Sequence, residues 1–125
     1  MTGRRNYIGA TGEEIASEYL KLKGYKVLAV NSRTPFGELD IIARKNGFII
    51  FIEVKTRVSD SLGPPYLSIT RKKIRHLIKN ALCYLKRHGL TGSDWRIDIV
   101  SVNLDENYEL KHIELIENAV QDEWV

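Results

Sequence analysis

Apolar positions along the chain recur with two different periods, and the switches between them divide it into seven elements. Ile15, Ala16, Tyr19, Leu20 and Leu22 fall at helical spacing, and Gly24 ends the run. Thr11 followed three residues later by Glu14 matches a capping box, which predicts a helix start at Thr11. Tyr25 to Val30 is apolar and β-branched enough for a first strand, and a second is expected from about Phe36 to Arg44. Asn46-Gly47 then marks a two-residue hairpin, because both central positions of a type I′ turn require positive φ. Phe48 to Thr56 is almost continuously apolar, as expected of a central strand covered on both faces. Gly63-Pro64-Pro65 breaks the stretch from Val58 to Ser68.

From Thr70 to His88 the residues Ile74, Leu77, Ile78, Ala81, Leu82 and Leu85 form one stripe of a long helix, which Gly89 stops. Trp95 to Val102 alternates as a fourth strand, and Tyr108 to Ile116 supplies a fifth. The order α-β-β-β-α-β-β predicts an α/β domain over residues 1–125 with a central mixed sheet flanked by helices.

Composition narrows the class. A chain of 125 residues, 43% apolar and 28% charged, can bury a core without disulfide staples. Cys83 stands alone, so neither an intrachain disulfide nor a cysteine-rich zinc site is expected. The longest apolar run, Phe48 to Ile52, is far shorter than a spanning helix, and Met1 to Tyr7 lacks the apolar segment of a signal peptide. A cytoplasmic protein with no membrane partner is the expectation. No phosphate-loop, dinucleotide or hydrolase-elbow motif occurs, so no nucleotide cofactor is expected.

The net charge of +3 is unevenly placed. Residues 71–88 carry Arg71, Lys72, Lys73, Arg75, Lys79, Lys86 and Arg87 with no acid, whereas 105–125 carry seven acids against Lys111. Such a separation suits one face to a polyanion, and Arg71, Lys72, Arg75 and Lys79 can follow a DNA backbone or serve only as a solvated helix face.

Strict alternation would place Glu38, Asp40 and Ile42 on one face of the second strand, with Leu39, Ile41 and Ala43 on the other. On the third strand Ile49, Phe51, Glu53 and Lys55 share a face, and the Asn46-Gly47 turn brings Asp40 and Glu53 onto neighbouring strands. Two readings stand. Glu38, Asp40, Glu53 and Lys55 can form cross-strand salt bridges on a solvated face. Alternatively, Asp40 and Glu53 hold one divalent cation, since Mg²⁺ binds through one or two carboxylates plus a substrate phosphate, and Lys55 orients water or neutralises phosphoryl charge. Glu13, three and seven residues before Ala16 and Leu20, lies on the inward stripe of the first helix and can add a carboxylate. Arg33 and Arg57 flank these positions and can contact a phosphate or pair with Glu38.

Asp40, then Glu53-Val54-Lys55 one hairpin later, after a helix bearing Glu13, resembles the PD-(D/E)XK nuclease superfamily. More closely, Gly12-Glu13, Tyr19-Leu20, Gly24-Tyr25, Asn31 with Arg33, Gly37 to Ile42, Phe51 to Arg57, Thr70 with Lys73, and Arg96 to Val100 are similar to the YraN-like family of bacterial proteins. The resemblance covers roughly residues 9–102. It implies a restriction-endonuclease-like core, akin to Holliday-junction resolvases, and Mg²⁺- or Mn²⁺-dependent endonuclease activity on DNA, branched forms included. It carries metal binding onto Asp40 and Glu53, the catalytic lysine onto Lys55, the first-helix carboxylate onto Glu13, and a polar active-site position onto Lys73. Leu39 stands where the superfamily's nominal motif has proline. The resolvase resemblance also implies a homodimer. The rival expectation is a non-catalytic nucleic-acid-binding module that keeps the nuclease-like fold.

Overall fold

This computed structural model describes residues 2–58 and 63–120, and of residues 2–6 the backbone alone. Ser59 to Leu62 of the expected loop, and Asp122 and Glu123 of the acidic end, lie outside the described residues. The elements are α1 (Thr2–Leu22), β1 (Lys26–Thr34), β2 (Gly37–Lys45), β3 (Phe48–Val58), a 3-10 turn (Pro65–Ser68), α2 (Arg71–Arg87), β4 (Trp95–Leu104) and β5 (Leu110–Ile116). They follow the predicted order. One five-stranded sheet runs β1-β2-β3-β4-β5, antiparallel throughout except for the β3–β4 pair, which α2 connects. No helix among the described residues is long and apolar enough to cross a membrane.

Each face of the sheet has its own core. Under α1, Ala16 and Leu20 pack with Ile41, Ala43, Ile50, Ile52, Val54, Val100 and Val102. Under α2, Ile74, Leu77, Ala81 and Leu85 pack with Leu39, Ile42, Ile49, Phe51 and Ile97. With both faces covered, β3 is buried from Ile49 to Val54, as its continuous apolar sequence requires. Asn46 (φ 52°) and Gly47 (φ 82°) make the left-handed turn that joins β2 to β3.

Three local expectations are corrected. The capping box does not form: α1 begins at Thr2, and Thr11 lies inside it, because Ile8 upstream also packs on the core and extends the buried stripe. The cap is instead at α2, where Thr70 Oγ1 accepts the Lys73 N–H at 3.1 Å. Leu22 and Leu82, read as parts of apolar stripes, are 88% and 50% exposed, and α2 instead buries the polar Asn80. The side chain of Asn80 accepts a hydrogen bond from Thr34 Oγ1, which fastens α2 to the end of β1.

The third correction reaches the site. Leu39 and Ile42 both face α2, while Ile41 and Ala43 face α1, so strict alternation fails between Leu39 and Ile42. The partner strand bends with it: Asn31, which lies between the paired residues Val30 and Ser32, has φ 49°. The expected grouping of Asp40 with Glu38 and Ile42 on one face is therefore not observed.

Close helix–sheet contact rests on one glycine. A Cβ on Gly12 would lie 1.8 Å from Thr56 Oγ1 and 2.7 Å from Thr56 Cβ, so only glycine lets α1 approach β3 this closely. Gly12→Ala is expected to lower the unfolding free energy by about 1–3 kcal/mol. Urea unfolding measures the loss, and Thr56→Gly in the same chain is expected to restore much of it.

Candidate active site

The ladder between β2 and β3 runs from Lys45↔Phe48 to Ile41↔Ile52 and stops there. Beyond it the strands part, at the position where Asp40 would have faced Glu53. Asp40 Oδ2 accepts the Val54 N–H at 2.9 Å. A strand's N–H lies in the plane of the sheet, so the carboxylate occupies the gap that a ladder bond would have filled.

Glu53 follows Ile49 and Phe51 on the α2 side and is only 6% exposed. Lys73, in the first turn of α2, places its Nζ 3.5 Å from Glu53 Oε2. The other oxygen, Oε1, is buried without a hydrogen-bond partner among the described residues. Such an atom forfeits hydration without replacement, which is costly for a charged group.

Electrostatics follow from this burial. Glu53 is pushed up to about 8, first by burial and then by the charge of Asp40, against the pull of Lys73. Asp40 is also raised, chiefly by burial, although the Val54 N–H and Lys73 oppose the shift. Glu13 approaches from α1 and is pushed up to about 7, by burial first and then by Asp40 and Glu38, while a hydrogen bond from Asn31 pulls it down. Asp40 and Glu53 thus meet at the fork, Glu13 acts on Asp40 from the α1 side, and each would shed its proton more easily beside a cation.

Lys55 lines a cleft of about 470 Å³ together with Glu13, Val54, Thr56 and Arg57, and forms no ion pair with a described residue. The Arg57 guanidinium donates to the Gly63 carbonyl at 3.1 Å. Arg33 sits 3.8 Å from Glu38 on the exposed edge strand. Arg71, Lys72, Arg75 and Lys79 are exposed along α2. The salt bridges considered from sequence, which would have used Lys55 with Glu38, Asp40 or Glu53, do not form among the described residues; Lys73 pairs with Glu53 and Arg33 with Glu38.

Among the described residues no three His, Cys, Asp or Glu side chains form a ready cage for a metal ion. Two carboxylates with an unpartnered inward oxygen are nonetheless a donor set that suits Mg²⁺ or Mn²⁺, which take hard oxygen ligands and keep sites for water and substrate phosphate. Asp40 and Glu53 are the residues that would hold the ion.

Sequence reasoning assigned no role to Asn31, whose hydrogen bond holds Glu13, or to Gly12, which lets Glu13 reach the fork. The signal available for Asn31 was the residue type itself, since Asn tolerates positive φ better than most. Asp98 was also passed over. It is fully buried and accepts from Tyr25 Oη at 2.8 Å, from Arg96 Nε at 2.9 Å and from the Asn118 N–H at 2.9 Å, tying the chain after α1 and after β5 to β4.

The chain is 43% identical over 119 residues to a UPF0102 protein of Desulfosudis oleivorans, covering 95% of this chain and 94% of that protein. It is 45% identical over 114 residues to one of Thermodesulfovibrio yellowstonii, covering 90% and 94%, and 39% identical over 123 residues to one of Dehalococcoides mccartyi, covering 98% and 100%. Residues 12–102, which span the Gly12–Thr56 contact, the fork, α2 and most of β4, match the family described as "Uncharacterised protein family UPF0102", and the chain belongs to that family, also called YraN-like.

Proposed function

We propose that the protein is a divalent-metal-dependent endonuclease that hydrolyses phosphodiester bonds of DNA. The observation that carries this reading is the buried, unpartnered Oε1 of Glu53 beside Asp40 at the strand fork. A purely structural carboxylate at this depth would have its oxygens satisfied by donors, and a bare pair of acids would oppose a polyanion. Mg²⁺ or Mn²⁺ is the cofactor that reconciles the two, and when bound it supplies charge neutralisation at the scissile phosphate.

Around it, the chain's own groups divide the work. Asp40 and Glu53 are the ligands. Lys55 lines the cleft, and its ammonium would offset negative charge as the phosphoryl group reacts. Lys73 keeps Glu53 Oε2 in place. Glu13, with a pKa of about 7, exchanges a proton with the reacting water at its carboxyl oxygen near neutral pH. Arg33, Arg57 and the exposed face of α2 bear on the DNA backbone. The resemblance to junction resolvases supports branched DNA as a substrate and a homodimer as the acting species.

Labelled linear, single-stranded, flapped and four-way-junction DNA with Mg²⁺ or Mn²⁺ tests the activity. Cleavage is expected with the wild type, and Asp40→Ala and Lys55→Ala are expected to lower it by about 100-fold or more. Absence of cutting on every substrate, with salt-sensitive DNA binding retained in both variants, would overturn the enzyme and favour a non-catalytic binding module.

A second test needs no substrate. The carboxyl groups of Glu53 and Glu13 titrate near 8 and 7 in the folded protein, against 4.5 for an unperturbed glutamate. Across that window these two groups hold more protons in the folded state than in the unfolded chain, so their contribution to metal-free stability is fully present below about 4.5 and is lost as pH rises to about 8. Urea unfolding in EDTA should show this decline. Glu53→Gln should flatten much of it, and Mg²⁺ should raise stability most at the alkaline end. A flat profile that ignores both the substitution and the cation would count against the site.

A further inference from the structure

A second hollow, of about 520 Å³, opens on the α2 side of the sheet beside the first turn of that helix. Its floor is Ile99 of β4 and Ile116 of β5, which pair across the ladder, and its walls include Tyr66, Ile69, Ile74 and Glu114. The strand residues among these share one face. Ile97 packs under α2, which puts Ile99 on the same side two residues later, whereas Ile113 and Leu115 pack under α1 and leave Glu114 and Ile116 to the α2 side. Glu53, also on the α2 side, is paired with Ile99 across the parallel β3–β4 ladder. One strand spacing thus separates Glu53 from the near edge of the floor and two from the far edge, about 5 and 10 Å.

The inside and the mouth of the hollow differ in chemistry. Inside, apolar residues predominate, and Glu114 is the one carboxylate among the lining residues; it is half-buried and makes no hydrogen bond or ion pair with a described residue. A wholly aliphatic guest would leave that carboxylate without a partner, so the fitting guest carries a hydrogen-bond donor on an otherwise apolar body. At the mouth, between Ile69 and Ile74, the first turn of α2 carries Arg71, Lys72 and Lys73 and no acid. Cations there work against the positive end of the helix. They favour an anion at the mouth and disfavour a cationic peptide, which could otherwise pair with Glu114.

We infer that this hollow receives an unstacked nucleobase bearing an exocyclic amino group, with Glu114 as the acceptor and the strand's phosphates passing the first turn of α2. A base is a flat, largely apolar ring with donors on one edge and an anionic chain attached outside, which is the same division of chemistry. Cytosine, adenine and guanine carry the amino donor, and thymine does not. The source of the base rests on the nuclease reading: a strand held at the fork passes the mouth, and the base that enters belongs to a nucleotide close to the cleaved phosphate. Unstacking costs least where a base is already unpaired, so a bulge or branch point is the substrate class that this hollow selects.

The first experiment titrates deoxycytidine monophosphate, thymidine monophosphate and deoxyribose 5-phosphate into the metal-free full chain labelled with ¹³C at the isoleucine methyls. Saturable shifts at Ile69, Ile74, Ile99 and Ile116 are expected with the cytosine nucleotide, about tenfold weaker binding with the thymine nucleotide, and no shift with the sugar phosphate. Glu114→Gln, at a half-buried strand position, should erase the preference for cytosine, because an amide both donates and accepts. Ala119→Phe, which fills the hollow from its wall, should abolish the shifts. No response at these isoleucines, equal affinity for the two pyrimidines, or equal shifts with the sugar phosphate would overturn the site. So would Trp124→Ala moving the same methyls without any ligand while nucleotides move none, which would assign the hollow to the chain's own end. The second experiment compares, in EDTA, duplexes carrying a single bulged cytosine or an abasic residue at the same place. The cytosine bulge should bind about tenfold more tightly, and equal affinity would overturn the inference. Failure of the two readings is distinguishable. Metal-dependent cleavage with no nucleotide response removes the hollow and keeps the enzyme, whereas nucleotide binding at these isoleucines without cleavage of any DNA does the reverse.

Discussion

The hydrogen bond from the Val54 N–H to Asp40 Oδ2 decides how the upper half of the molecule is arranged. A central strand cannot leave a buried N–H without an acceptor, so where β2 and β3 part, something must replace the lost ladder carbonyl. Asp40 does so with a side chain, which holds the fork open without orphaning the backbone. The same bond fixes a carboxylate in the plane of the sheet, immediately beside the one that Glu53 sends up on the α2 side. Parting the strands and assembling the acidic site are thus one structural event.

The two helices then act on this fork from opposite faces. α1 can lie close to β3 only because Gly12 presents no side chain to Thr56, and this approach delivers Glu13. α2 is capped by Thr70 on the Lys73 N–H, and the side chain of Lys73 reaches Glu53 in turn. At its other end α2 is fastened to β1 by Asn80 and Thr34. The cost of burying Asp40, Glu53 and Glu13 together falls on the surrounding apolar packing, since Lys73 alone does not offset three acids.

Much of this was legible in the sequence, for identifiable reasons. Element types and order follow from periodicity, and Asn46-Gly47 specifies its turn by a steric requirement that few other pairs meet. Glu53 could be placed on the face of Ile49 and Phe51 because β3 keeps strict alternation. Asp40 could not be placed by the same rule, since the paired bend at Asn31 and Asp40 is a tertiary feature that breaks the rule where the site lies. The capping box failed because a helix start depends on what precedes it, and Ile8 found a place in the core. Asn80 was missed because its partner Thr34 is 46 residues away, and composition carries no signal for such a pair. The departures from simple rules cluster at the fork and its supports, as expected where a fold gives up regularity to hold a site.

Charge is distributed with the same economy. The acids occupy the interior of the fork, whereas Lys55, Arg57, Arg33 and the exposed residues of α2 lie around it. On the proposed reading, a polyanion approaching this surface meets attraction at the rim and, where the acids are ionised, repulsion at the centre that a cation in the fork relieves. Metal occupancy and polyanion binding are therefore coupled: on the proposed reading, each makes the other more favourable by relieving the same uncompensated charge. On that reading, this coupling would separate the fork from an ordinary charged sheet face. On such a face oppositely charged neighbours would already be paired, Glu53 Oε1 would have a donor, and a cation would have nothing to relieve.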